Sequence, residues 1–186
     1  MRRGNLLYPI LVATTVLSAD DYTALFREAA ADTQQGKYEE AVLKYKAALA
    51  ITPSDQSTRF ALANLFADNK HYADAAYHYD ILVQQSPNND VYQNARGIAH
   101  EAVGEHKVAY AAFTAAVTVN PKNAIAWNNL GVVNEKMGDR KSAIADYKHA
   151  LDADPKLSEA KANLARFNVT QPAMSIPGTS TPDENK

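Results

Sequence analysis

The sequence predicts an all-α protein made of consecutive helical hairpins, and two observations carry that prediction. Prolines recur with a spacing of 34 residues, at Pro53, Pro87, Pro121 and Pro155, and a fixed period of this size is typical of a solenoid of stacked repeats. Between the prolines, apolar residues recur at steps of three and four, which places them on one face of a helix. A hairpin with an apolar face on each helix cannot bury both faces alone, so the repeats are expected to stack.

The prolines divide the chain into four repeats, at residues 22–55, 56–89, 90–123 and 124–157. The fourth repeat shows the helical hairpin best. Its first apolar stripe ends at Gly138 and Asp139, as expected for a residue that tolerates left-handed backbone angles followed by a helix N-cap. The second stripe ends before Pro155, because proline disfavours the helical conformation of the residue that precedes it.

Four positions carry the same kind of side chain in every repeat. They are a small eighth residue (Ala29, Ala63, Gly97, Gly131), an alanine at twenty (Ala41, Ala75, Ala109, Ala143), an aromatic at twenty-four (Tyr45, Tyr79, Phe113, Tyr147) and an aliphatic at twenty-eight (Leu49, Val83, Val117, Leu151). This pattern resembles the tetratricopeptide-repeat (TPR) family. The resemblance implies a right-handed solenoid of four helix-turn-helix repeats. Small residues would let the paired helices approach, and the aromatic ring would fill the space beside that contact.

The two ends of the chain follow different patterns. Residues 158–168 restart the repeat for one helix only, which predicts a C-terminal capping helix. Residues 169–186 are rich in proline, serine and threonine, and are expected to be disordered. Residues 1–19 combine two arginines, an uncharged apolar run at 6–17 and small residues, as a secretory signal peptide does. Cleavage is expected after Ser18 or Ala19.

These features predict an exported protein, either periplasmic or secreted. One alternative is an uncleaved anchor at residues 6–17 that tethers the protein to a membrane, although twelve residues are short of the ~20 that a spanning helix needs. Another is a helix that packs on the first repeat. Membrane association is expected only through an uncleaved N-terminus.

Several residues depart from the repeat pattern. Glu28 and Asp32 replace apolar residues in the first repeat, where a terminal repeat is expected to present a polar outer face. The third repeat has Arg96, His100 and His106 at positions that are usually apolar or aromatic. They form either a pH-sensitive polar seam or a set of packed side chains whose polar atoms are satisfied, and we favour the second interpretation. In the second repeat, Lys70 or its neighbour Asn69 is expected to take a left-handed conformation at the turn.

Composition and motifs argue against catalysis and against nucleic-acid binding. The formal net charge is −2, without a basic block, whereas phosphate backbones are bound by basic patches. There is no cysteine, and the five histidines form neither an i,i+4 pair nor an HExxH motif. Phosphate-binding and nucleophile motifs are absent from the sequence. We therefore expect no enzyme activity, metal site, cofactor or small-molecule substrate.

The resemblance implies that the first helix of each repeat lines a concave groove. The groove residues carried over to this chain are Phe60, Asn64, Val91, Asn94, Ile98, Ile125, Asn128, Asn129, Val132 and Glu135. The lysine and asparagine set with which some relatives clamp an acidic C-terminal tail is missing. Asparagine amides both donate and accept hydrogen bonds, so they suit the backbone of an extended peptide.

The sequence thus predicts a scaffold that binds an extended, largely uncharged segment of a partner protein. The alternative is an accessory or regulatory subunit of an enzyme or assembly complex, which docks through the convex face or by self-association.

Overall fold

The computed structural model describes residues 18–169, and within them it shows helices and no strand. The predicted all-α class is therefore confirmed. The described helices are α1 (Ala19–Gln34), α2 (Tyr38–Ile51), α3 (Gln56–Asp68), α4 (Tyr72–Gln85), α5 (Asp90–Ala102), α6 (His106–Val119), α7 (Ala124–Lys136), α8 (Arg140–Ala153) and α9 (Ser158–Val169). Each repeat window holds two helices, and α9 follows the last one. The predicted signal segment, apart from Ser18 and Ala19, and the tail beyond Val169 lie outside the described residues.

The described part of the chain divides into two compact units, and the boundary between Leu65 and Phe66 falls within α3. In the N-terminal unit, α1 packs on α2. Ala29 of α1 and Ala41 of α2 are both fully buried, and the ring of Tyr45 is buried with them. The small eighth and twentieth residues of this repeat therefore lie inside the hairpin, as the pattern predicts.

The start of α1 differs from the sequence-based expectation. The helix begins at Ala19, three residues before the predicted repeat boundary, and Ser18 is its N-cap. The Ser18 hydroxyl accepts a hydrogen bond from the Asp21 amide, and the Asp21 carboxylate accepts one from the Ser18 amide at 2.6 Å. This reciprocal capping box satisfies backbone donors that the first turn would otherwise leave unpaired.

Asp32 does not belong to a solvated outer face, which corrects the expectation for the first repeat. Asp32 is only 7% exposed, and its carboxylate pairs with Nζ of Lys44 at 2.6 Å. The same ammonium lies 3.2 Å from Glu28, whose side chain is largely exposed. A carboxylate at this buried position is tolerated because α2 supplies the opposite charge.

In the C-terminal unit, α5 packs on α6 and α7 packs on α8, while α4 contacts α5, α6 contacts α7 and α8 contacts α9. The aromatic twenty-fourth residues are at most 3% exposed: Tyr79, Phe113 and Tyr147. One core cluster combines side chains of α6 and α7, including Ala109, Phe113, Leu130 and Val133. Stacking consecutive helices therefore buries the apolar stripe that a single hairpin would expose.

The turns within the repeats use left-handed backbone angles. Lys70 has a φ of 64°, so the residue that replaces the usual turn glycine takes the left-handed conformation. Gly138 has a φ of 87° at the equivalent turn of the fourth repeat. The turn geometry is therefore retained even where a side chain makes it less favourable.

A hydrogen bond that the sequence reading missed recurs at the repeat prolines. In the C-terminal unit, Gln93 Nε2 donates to the carbonyl of Pro87 and Trp127 Nε1 donates to the carbonyl of Pro121, both at 2.9 Å. These donors occupy the fourth position of their repeats. Each one satisfies a carbonyl in the connection between repeats, which ties the first helix of a repeat to the preceding loop.

Helix α9 closes the apolar surface of the fourth repeat. Phe167 is buried with Ala143 and Tyr147, and Leu164 packs against the same cluster. The Arg140 guanidinium lies 4.6 Å from the centre of the Phe167 ring, a cation–π contact. Within residues 18–169, no helix combines the length and the apolarity required to cross a membrane.

Candidate functional site

The candidate site is the surface that α5, α7 and α9 present in the C-terminal unit, here called the A-helix face. Nδ2 of Asn129 on α7 donates to Oδ1 of Asn94 on α5 at 3.0 Å. Seven residues further along both helices, Lys136 Nζ pairs with Glu101. Both pairs join residues that are 35 apart, so α5 and α7 run in the same direction and in register. The A-helix face is therefore a regular surface.

The same sequence offset recurs between α7 and α9. Nδ2 of Asn163 donates to Oδ1 of Asn128 at 2.9 Å. Asn128 is only 8% exposed, so its amide is committed to joining the two helices. The asparagines of this face are thus first of all inter-helix connectors, a role that the sequence reading did not assign to them.

Two depressions open on the A-helix face and share Val132. The smaller has a volume of about 120 Å³ and is lined by Ile98, Glu101, Phe113, Asn129 and Val132. The larger has a volume of about 450 Å³ and is lined by Val132, Glu135, Lys136, Asn163 and Arg166. The ring of Phe113 gives the smaller depression an apolar wall.

Three large apolar side chains of this face remain in solvent, and one of them, Ile98, lines the smaller depression. The exposed fractions are 51% for Val91, 42% for Ile98 and 56% for Ile125. Val91 and Ile98 are seven residues apart on α5, which places them on the same side of that helix, and Ile125 and Val132 have the same relation on α7. Exposed apolar residues grouped on one face are typical of an interaction surface.

The charged side chains that line the depressions form two ion pairs. Lys136 pairs with Glu101, and Nη2 of Arg166 lies 2.8 Å from Oε2 of Glu135. The Tyr147 hydroxyl also donates to Oε2 of Glu135, at 3.0 Å. Burial raises the pKa of the Tyr147 phenol above its usual value, and the neighbouring Glu135 carboxylate adds to that rise. The phenol is therefore a permanent hydrogen-bond donor at neutral pH.

Seven of the ten predicted groove residues lie together on the A-helix face: Val91, Asn94, Ile98, Ile125, Asn129, Val132 and Glu135. Asn128 also lies on α7, but its side chain is buried and hydrogen-bonded to Asn163. Phe60 and Asn64 lie in the N-terminal unit on α3, where both are half-buried. The sequence reading did not assign Phe113 to the site, because it treated that ring only as core.

Two of the unusual side chains of the third repeat, Arg96 and His100, form a separate polar cluster with Asp80 of α4 and with Glu105, the N-cap of α6. Nε of Arg96 lies 2.5 Å from Oδ1 of Asp80. The two ring nitrogens of His100 face carboxylates, Nε2 that of Asp80 at 3.2 Å and Nδ1 that of Glu105 at 2.6 Å. Since His100 is only 7% exposed, Arg96 and His100 are packed and paired as expected. His106 differs, because its Nδ1 is buried without a hydrogen-bond partner, so the expectation of satisfied polar atoms is wrong for that residue.

Within residues 18–169, no group of three or more histidine, aspartate or glutamate side chains is arranged to hold a metal ion. The depressions of the A-helix face are lined by aliphatic, aromatic, amide and paired ionic groups, none of which forms a nucleophile–base pair in the contacts described above. What these groups can do chemically is to desolvate an apolar side chain and to hydrogen-bond a peptide backbone.

Comparison with known proteins decides the family. A family model described as "TPR repeat" matches residues 30–70. A second, described as "tetratricopeptide repeat", matches residues 94–158. The two matches together cover more than half of the chain.

The chain belongs to the tetratricopeptide-repeat family.

Solved structures of other proteins share this fold at low sequence identity. The crystal structure of MamA aligns with a TM-score of 0.76 and 21% identity, over 80% of this chain and 81% of that one. PilF from Pseudomonas aeruginosa aligns with a TM-score of 0.69 and 21% identity, over 81% of this TPR protein and 68% of PilF.

YrrB, described as a TPR protein with an unusual peptide-binding site, aligns with a TM-score of 0.72 and 19% identity, over 80% of this chain and 76% of YrrB. No curated protein sequence matches this chain significantly. Identities of this size establish the fold alone. The TPR fold is typically a non-catalytic scaffold for protein–protein interaction, and this chain has that scaffold.

Proposed function

We propose that this TPR protein is a non-catalytic interaction module that binds an extended segment of a partner protein on its A-helix face. The observation that carries the proposal is the set of exposed apolar side chains, Val91, Ile98 and Ile125, on the face that also holds the two depressions sharing Val132. Exposing these side chains to water is unfavourable, and a partner that covers them recovers that free energy.

The depressions can take up single side chains of a peptide, whereas a partner with a flat surface would leave them unfilled. The smaller depression, with a volume of about 120 Å³, has room for water beside its apolar wall. An apolar side chain that enters it displaces water from beside Phe113 and Val132. The peptide-binding site named for YrrB is consistent with such a use of this fold.

We also propose that the protein is exported through a signal segment at residues 1–19, to the periplasm or outside the cell, with a membrane tether through residues 6–17 as the alternative. Ser18 caps α1, so cleavage after Ser18 or Ala19 would remove the capping hydroxyl. N-terminal sequencing of the protein purified from cell fractions tests the proposal. A chain that keeps Met1 in the membrane fraction would establish the tether instead.

A second candidate is docking through the second helices of the repeats, as in an accessory subunit of an enzyme or assembly complex. The specific observation is the exposure of two aromatic side chains on those helices, 63% for Tyr77 on α4 and 40% for Tyr110 on α6. Exposed tyrosines are common at protein interfaces because they offer a large apolar area together with a polar hydroxyl.

Capture of cross-linked partners from a native extract separates the two candidates. The first variant carries Ile98→Ser with Ile125→Ser, and the matched control carries Tyr77→Ser with Tyr110→Ser. All four side chains are exposed, so each pair is expected to leave the stability close to that of the unmodified chain.

We expect the isoleucine pair to abolish capture and the tyrosine pair to leave it intact. The reverse result would show that the partner docks on the second helices of the repeats and not on the A-helix face. Asn128 is not a suitable site for this test, because its buried amide joins α7 to α9 and its loss would also alter stability.

A further inference from the structure

We propose that the segment bound on the A-helix face is a polyproline-II stretch that presents two apolar side chains three residues apart and carries no charge between them. This inference rests on the proposed function and names the chemistry of the partner. It follows from the spacing of the apolar side chains, from the amide pair between them and from the pairing of the charges.

The spacing comes from helix geometry. Val91 and Ile98 are seven residues apart on α5, and at about 1.5 Å per residue their Cα atoms are roughly 10.5 Å apart along the helix axis. Ile125 and Val132 repeat this spacing on α7. Because α5 and α7 run parallel and in register, the face carries two matched rows, each with an apolar residue near either end.

A polyproline-II segment matches this spacing and an extended strand does not. In polyproline II, residues i and i+3 lie on the same side and are about 9.3 Å apart, from three residues at ~3.1 Å each. In a strand, side chains on one side are two residues apart, at about 6.8 Å. The next same-side pair of a strand, at about 13.5 Å, is too long.

The amide pair between the rows favours a ligand with unpaired backbone groups. Asn94 and Asn129 lie midway along the rows and bond to each other. That single bond uses one acceptor of Asn94 and one donor of Asn129, and each amide has further bonding capacity. Polyproline II has no internal hydrogen bonds, so its carbonyl and remaining N–H groups are open to such amides.

An α-helical ligand is disfavoured by the same pair. A helix would also reach from one end of a row to the other, with residues i and i+7, but its residue at i+3 or i+4 faces the same side. That side chain would lie on the Asn94–Asn129 amides and remove them from water without offering a hydrogen bond. Its own backbone groups are already paired within the helix.

The charged side chains that line the depressions are already paired, which favours an uncharged ligand segment. Lys136 is paired with Glu101, and Arg166 with Glu135. Because each of these charges already has a partner of opposite sign, a charged ligand side chain gains little net attraction there. An apolar side chain between the Asn94–Asn129 pair and the Lys136–Glu101 pair instead enters the depression of about 120 Å³.

The test uses the full chain and three synthetic peptides, acetylated and amidated, each with two leucines among prolines and serines. The compositions are identical, and the leucines are two, three or four residues apart. Calorimetric titration is expected to show that the peptide with leucines three apart binds about tenfold more tightly than the other two, since only it seats both side chains. Val91→Ser together with Ile98→Ser should abolish this preference, and Tyr110→Ser should preserve it.

The other outcomes are distinguishable. Equal binding of all three peptides, lost in the Val91→Ser, Ile98→Ser variant, would overturn the spacing and leave the proposed peptide-binding function standing. Tighter binding of a helical peptide with leucines seven residues apart would overturn the proposal that the bound segment adopts the polyproline-II conformation. Binding that survives the serine substitutions would remove both the inference and the proposed site. If none of the peptides binds, the inference fails, and partner capture then decides the function alone.

Discussion

The Tyr147 ring occupies the space that a side chain at residue 131 would need. A Cβ atom added to Gly131 would lie 2.6 Å from Cε1 of Tyr147, closer than real side chains approach. The third repeat has the same arrangement, since a Cβ at Gly97 would lie 2.4 Å from Cε1 of Phe113. The aromatic twenty-fourth residue and the small eighth residue are therefore one packing unit.

Gly131→Ala is accordingly expected to destabilise the protein. The added methyl group must displace a fully buried ring, and overpacking of this kind costs about 1–3 kcal/mol. Urea unfolding followed by circular dichroism measures the change. Lys148→Ala, at an exposed position of α8 next to Tyr147, is the control and should stay within about 0.5 kcal/mol. An unchanged midpoint for Gly131→Ala would contradict the tight contact with Tyr147.

Ala109→Leu tests the packing of the third repeat with the fourth. Ala109 is fully buried in a cluster with Phe113, Leu130 and Val133, so three additional carbon atoms have no space. We expect a loss of about 1–3 kcal/mol in the free energy of unfolding. Ala111→Leu, at an exposed position of α6, is the control. If both variants melt at the temperature of the unmodified chain, the assignment of the twentieth residue to the core is wrong.

Two C-terminal truncations test the capping role of α9. Deleting residues 170–186 is expected to leave the helicity and the melting temperature unchanged. Deleting residues 158–186 removes Phe167 and Leu164 from the cluster around Tyr147, which exposes an apolar face and promotes aggregation. Light scattering and circular dichroism follow the two products. Identical behaviour of the two would show that α9 does not protect the fourth repeat.

The buried carboxyl of Asp146 makes a prediction about pH. Burial raises the pKa of Asp146 above its usual value, although Nδ2 of Asn134 donates to Oδ2 of this carboxylate at 2.7 Å. The folded state thus holds this proton more tightly than the unfolded state does. The contribution of Asp146 to stability is therefore lost as pH rises from the unfolded pKa through the folded one.

Asp146→Asn removes that titration and keeps an oxygen that accepts from Asn134. We expect the variant to gain stability relative to the unmodified chain between about pH 3, below the usual aspartate pKa, and pH 7. Denaturant unfolding at several pH values measures the difference. Asp152→Asn on the exposed side of α8 is the control. A difference that shrinks as pH rises would mean that the charged carboxylate is stabilising.

The TPR fold could be predicted because its signals are local or periodic. The 34-residue proline spacing and the four recurring positions are visible in the sequence, and the structure confirms the all-α class. The sequence pattern predicts that the small eighth residue packs against the aromatic twenty-fourth residue, and the structure shows this contact in the third and fourth repeats. Even the left-handed turn at Lys70 was expected, because the repeat requires it wherever a glycine is missing.

The partners of polar side chains were harder to predict. Asp32 looked like an outer-face residue, but Lys44, twelve residues later on the paired helix, draws it into an ion pair. The asparagines looked free to bind a ligand, but Asn128 is bonded to Asn163. The two bonded asparagines are 35 residues apart, one more than the repeat length. This spacing indicates a contact only once the first helices of the repeats are known to run parallel and in register.

The sequence alone determined the helical hairpins and the apolar positions of their core, because burial of apolar residues follows from period and residue size within one repeat. The tertiary structure alone decided which of the surface residues are available to a partner. Val91, Ile98 and Ile125 remain exposed on the A-helix face, whereas Asn128 on the same face is taken up by its neighbour. A hydrogen bond between repeats needs its donor–acceptor distance to be right within a fraction of an ångström. The stacking of whole helices sets that distance, and a residue pattern does not encode it.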